Sequence, residues 1–157
     1  MSGAWFDGCN GAESALSSAE CAAARVADFF DNTEGVAAFA DLPIPIGRAA
    51  VLLDVGGGGS SAGEDWLVAT YGPALRVYVA DPFHRSAQHN AKVQRAIEAA
   101  GGADIVTSNS VLNVLCSASD RAAHVRMVYS ALKEGGTAYF KVWAGFEPLR
   151  GSGRGGR

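Results

Sequence analysis

Four consecutive glycines, Gly56 to Gly59, stand directly after the apolar run AAVLLDV (49–55). Glycine loses more backbone freedom on folding than any other residue, so a run of four is costly unless side chains must be kept out. An apolar run without polar alternation reads as a strand buried on both faces, as in a parallel sheet. The residues beyond it read as a helix from about Gly63 to Tyr71, with Glu64 and Asp65 near the positive end of its dipole. A strand, a glycine turn and a helix in that order let backbone approach a ligand and aim amide groups at it.

The alternation repeats along the chain. LRVYVAD (75–81) is a second strand, ended by Pro82, which has no amide hydrogen for a ladder. A helix follows over about 86–100, where Val93, Ala96, Ile97 and Ala100 share one face and Gly101-Gly102 end it. ADIVTSN (103–109) is a third strand. The spacing then predicts a helix over about 119–133, with Val125, Val128, Tyr129 and Leu132 on one face and Gly135-Gly136 closing it. TAYFKVW (137–143) is a fourth strand. This order implies an α/β class: a Rossmann-like, mainly parallel sheet with helices on both faces. It occupies residues 48–146. An N-terminal segment (1–47) precedes it, with a helix in 12–30 striped by Ala22, Val26, Phe29 and Phe30 and a Pro-rich connector at 41–48. A Gly/Arg tail (147–157) follows and is expected to be disordered.

Length and composition narrow the classes. A chain of 157 residues, 48% hydrophobic and 18% charged, suits one folded domain. Its net charge of -3 offers no field to attract nucleic acid, and the two arginines of GSGRGGR add little to that. No apolar run approaches the roughly 20 residues that span a bilayer. Acidic residues Asp7, Glu13 and Glu20 sit where a secretory signal would be basic and then apolar, so a cytoplasmic protein is expected. Cys9, Cys21 and Cys116, with His84, His89 and His124, show no metal-ligand spacing, and no metal is expected.

Three patterns overlap on the glycines. The dinucleotide pattern G-x-G-x-x-G/A lies on Gly57, Gly59 and Ala62, with Asp81 as the distal acid. The nucleophile elbow G-x-S-x-G lies on Gly59, Ser61 and Gly63, but too far past the strand end for a tight turn. The third places an acid two residues before G-x-G: Asp54, Gly56 and Gly58, with Ser60 where a further glycine is common. With VYVADP as a second motif, ADIVTSNSVLNVL as a later strand segment and LKEGGTAYFKV beyond it, residues 48–143 resemble the class I S-adenosylmethionine-dependent methyltransferases. DPFHRS, TSNSVLNVL and FKVWAG are also similar to the branch associated with DNA phosphorothioation.

The resemblance implies S-adenosyl-L-methionine as cofactor, held by Asp54, Gly56, Gly57, Gly58, Asp81, Phe83 and Asn109. The glycines would lie against its methionine part and ribose, Asp54 would orient the loop or meet the ammonium through water, and Asp81 would accept both ribose hydroxyls. Phe83 would pack on the adenine. The residues alone leave other roles open: Asp54 as a helix cap, Asp81 as the start of an Asp-Pro turn, and Phe83 as core. Asn109 and Asn113 fall on the substrate side, with capping or turn roles equally open, and no catalytic residue is identified. Asn109 begins Asn-Ser-Val-Leu rather than the [N/D]-P-P-[Y/F] of amino-methylating members, so methylation of a base nitrogen is not supported and the acceptor is unknown.

The chain also departs from the seven-stranded fold. No residues are left for a strand between the second helix and ADIVTSN, and none for a closing hairpin after FKVWAG, so a trimmed sheet is expected. Its open last strand would favour a homodimer or partner. The expected function is methyl transfer or that of a degenerate cofactor-binding relative. The alternatives are an NAD(P)- or other nucleotide-binding Rossmann protein, or a noncatalytic interaction domain.

Overall fold

The computed structural model describes Trp5, Phe39 and residues 50–142. The expected N-terminal helix, the connector and the Gly/Arg tail lie outside the described residues. The elements run β1 (Ala50–Val55), α1 (Ala62–Tyr71), β2 (Leu75–Ala80), α2 (Ala87–Ala99), β3 (Ala103–Asn109), α3 (Val111–Val114), α4 (Ala118–Ala131) and β4 (Leu132–Lys141). The strands form one sheet in the order β2-β1-β3-β4, and every pairing is parallel.

β1 is buried along its whole length because it lies between β2 and β3 and is covered on both faces. Successive side chains of a strand point to opposite faces, and β1 divides its residues accordingly. Val51, Leu53 and Val55 pack with Val93 and Ile97 of α2 and with Met127, Val128 and Ala131 of α4. Ala50 and Leu52 pack on the other face with Leu67 of α1, Ile105 and Phe39. The fold is therefore α/β and Rossmann-like, with helices on both faces of a sheet trimmed to four strands among the described residues. Serine side chains cap two of the helices: Ser86 accepts from the His89 amide at α2, and Ser117 from the Asp120 amide at α4.

The region around Gly135 differs from the sequence expectation. α4 ends at Ala131, and β4 begins at Leu132 rather than at Thr137. Gly135 and Gly136 lie inside β4 instead of closing the helix. Leu132 pairs with Ala103 and Thr137 with Ile105, so a step of two residues on β3 faces a step of five on β4. Gly135, at φ 76°, lies within this irregular stretch. Gly102, at φ 107°, brings the chain against the Lys133 backbone, where an added Cβ would lie 2.5 Å from the amide nitrogen. Gly102→Ala is expected to cost more than about 1 kcal/mol of stability, since it combines a forbidden φ with a backbone clash. A urea titration reads this as a lower midpoint at unchanged slope, and an unmoved midpoint would refute this register of β4.

The buried face of α4 is also displaced. Met127, Val128 and Ala131 face the sheet, whereas Val125 is 43% and Tyr129 79% exposed. Both stripes contain Val128, and sequence periodicity alone does not separate two faces sharing a residue. Among the described residues no helix is long and apolar enough to cross a membrane.

Candidate functional site

In a parallel sheet all carboxyl ends meet at one edge, where ligands of open α/β folds bind. Here that edge carries Asp54 and the glycine turn after β1, Asp81 after β2, and Ser108 and Asn109 at the end of β3. Both aspartates are buried, at 5% and 3% exposure, and buried carboxylates require a specific reason.

Asp54 lies beneath the glycine turn. Its Oδ1 accepts a 2.7 Å hydrogen bond from the Thr107 hydroxyl on β3, its register neighbour. Its other oxygen lies under Gly57, where a Cβ would run into that carboxylate and, at 2.9 Å, into Val79. This contact answers what keeps side chains off Gly57. Burial pushes the Asp54 carboxyl up to about 6; the Thr107 bond opposes the rise, and Asp81 and Glu64 add to it. The capping role is not realised, because Asp54 bonds across the sheet to Thr107.

Asp81 organises two loops at once. Its Oδ2 accepts from the Gly58 amide at 2.9 Å. Its Oδ1 accepts from the Phe83 and His84 amides, each at 2.8 Å, and lies 3.2 Å from the His84 ring nitrogen. The Asp-Pro turn role is thus present, and Asp81 also holds the glycine turn. Gly58 sits at φ 73° and is buried, so the carboxylate fixes a backbone conformation that favours glycine.

Asn90, which the sequence reading did not single out, clamps the Asp81 backbone. It accepts from the Asp81 amide at 3.0 Å and donates to the Asp81 carbonyl at 2.9 Å. The signal was its place one turn before Val93 and two before Ile97, a polar residue on the buried stripe of α2. Thr107 was missed as well; its mark was a hydroxyl at the polar end of ADIVTSN, which Ser108 shares.

The other sequence candidates are placed as follows. Gly56, at φ 79°, lies against a methyl of Val111, which brings α3 over the start of the turn. Phe83 is 63% exposed, which rules out a core role and leaves its ring on the surface beside the turn. Asn109 ends β3 in register with Lys141. Asn113 lies in α3, its amide donating to the Ser110 carbonyl, and Ser110 itself is left-handed at φ 60°. The edge therefore gathers Asp54, packed beneath Gly57, and Asp81, hydrogen-bonded to Gly58, around one glycine turn, with Asn109 and Asn113 on the neighbouring strand end and turn. Ser108 points to α4, where its hydroxyl lies 2.7 Å from Nε2 of His124, whose pKa burial lowers. Among the described residues no group of His, Cys, Asp or Glu is placed to hold a metal ion.

Compared with protein-family models and with curated proteins, the chain matches none. A functional reading of the site therefore rests on its residues.

Proposed function

We propose that the chain binds S-adenosylmethionine at this edge and belongs with the class I methyltransferases or their cofactor-binding relatives. One observation carries the reading: two buried aspartates on adjacent parallel strand ends, Asp54 and Asp81, bracket a glycine turn held to one of them through Gly58. The surrounding charge favours a cation. Asp54, Asp81, Glu64 and Asp65 outnumber Arg85, which pairs with Glu64, around the turn and the start of α1, the place where a dinucleotide would put a doubly anionic diphosphate. A sulfonium and an ammonium suit that field, and a diphosphate opposes it.

Asp81 would take the ribose. Each carboxylate oxygen has two lone pairs; Oδ2 receives the Gly58 amide and retains capacity for a hydroxyl. Oδ1 is crowded by two amides and the His84 ring, and the ring is the partner that a second hydroxyl would displace. Gly57 would lie against the ligand, Gly58, whose amide Asp81 holds, would set the turn, Asp54 would supply negative charge from beneath, and Phe83 would cover the base. The bound cofactor would supply an electrophilic methyl group on sulfur. The chain's contribution is alignment and water exclusion, with Asn109 and Asn113 as the polar groups beside the strand end.

Calorimetric titration with S-adenosylmethionine, S-adenosylhomocysteine and NAD tests the reading. Micromolar binding of the first two is the expected result. Binding of NAD alone would transfer the site to the nucleotide-binding alternative, and no binding would leave an interaction domain.

A further inference from the structure

The glycine turn is held from a second side by a residue to which the sequence, although DPFHRS contains it, assigned no role. Arg85, in the loop between β2 and α2, donates from Nε to the Gly58 carbonyl at 2.8 Å. Its Nη2 donates to the Ser60 carbonyl at 3.0 Å and lies 3.6 Å from the Glu64 carboxylate on α1. Asp81, four residues earlier, takes the amide of the same Gly58. One short stretch, 81–85, thus holds both polar groups of Gly58, across a separation of 27 residues for the arginine.

The consequence follows from peptide geometry. In a trans peptide the carbonyl and the next amide point in opposite directions, and no peptide among the described residues is cis. Turning the Gly58 and Ser60 carbonyls toward Arg85 turns the amides of Gly59 and Ser61 away from it. We propose that Arg85 is a positioning residue: its guanidinium fork sets the glycine turn so that the Gly59 and Ser61 amides are aimed at the ligand before it arrives. An ordinary surface ion pair with Glu64 would need only charge. The fork spans two carbonyls, which a lysine cannot do from one point charge.

The identity of the ligand rests on the S-adenosylmethionine reading, whereas the shape of the turn does not. The test therefore has two arms, applied to the native chain, Arg85→Ala, Arg85→Lys and the α2 surface control Arg95→Ala. In the unliganded protein, hydrogen exchange of the peptide covering 56–61 is expected to quicken about tenfold or more in both Arg85 variants. Exchange in β1 and β3 should stay as in the native chain, which separates a loosened turn from a loosened fold. In calorimetry, S-adenosylhomocysteine affinity is expected to fall about tenfold to a hundredfold in Arg85→Ala, with Arg85→Lys regaining little and Arg95→Ala unchanged. Native exchange in the turn, or full recovery by lysine, would overturn the inference while leaving the cofactor reading intact. Should the native chain not bind the ligand, that reading falls, and the exchange arm still decides the role of Arg85.

Discussion

Asp81→Ala is expected to abolish detectable S-adenosylhomocysteine binding by a chain that otherwise keeps its sheet. The substitution removes the acceptor for the Gly58, Phe83 and His84 amides together with the group proposed to hold the ribose. Hydrogen bonds to a charged group contribute roughly 1.5–3 kcal/mol each, so loss of two ligand bonds weakens affinity by about a hundredfold or more. The loss of three amide partners adds a stability cost of about 2–4 kcal/mol, reduced to the extent that water reaches the opened turn. Calorimetry reads the first effect and urea unfolding the second. Binding at native affinity in a folded Asp81→Ala protein would remove Asp81 from the site.

Asp54 is expected to act in the opposite sense on stability. Its pKa stands at about 6 when folded against 3.8 for an unperturbed carboxyl, so between those values the folded chain holds the proton that the unfolded chain has released. Where the native state binds more protons, stability falls as pH rises. The destabilisation therefore develops between about pH 4 and 6 and is fully present at neutral pH, where it amounts to about 3 kcal/mol. Asp54→Asn keeps an oxygen for Thr107 and removes the charge. The variant is expected to be more stable than the native chain at pH 7 by up to about that amount, and to lose the slope below pH 6. Comparing the two chains at each pH isolates Asp54 from Glu64, whose pKa burial also raises. Parallel stability profiles would show that Asp54 is not the source. The same substitution should weaken S-adenosylmethionine binding, and native affinity should decline below pH 6 as Asp54 takes its proton. Stability gained with binding lost is the usual sign of a functional charge.

Local pattern carried much of the architecture. β1, α1, β2, α2 and β3 lie within a residue or two of the boundaries read from apolar runs, helical periodicity, Pro82 and Gly101-Gly102, because those signals act through neighbours in sequence. The end of α4 was misread because Gly135-Gly136 has two uses: stopping a helix, or letting a strand take up three extra residues beside Gly102. Only the pairing of Leu132 with Ala103 decides between them.

The division is sharper at the site. The residue types and their order, an acid before a glycine run and another after the second strand, are properties of the chain read end to end. They identify Asp54, Gly56 to Gly58 and Asp81 as a set, because each sits at a strand end that periodicity alone locates. What each carboxylate touches depends on strand order and register, which bring Thr107 to Asp54 across 53 residues and Gly58 to Asp81 across 23. Arg85 and Asn90 carry no local signature of their partners. The bonds of Arg85 exist because a parallel sheet places the β2–α2 loop against the turn after β1, and those of Asn90 because α2 folds back on the end of β2; both adjacencies belong to the tertiary fold.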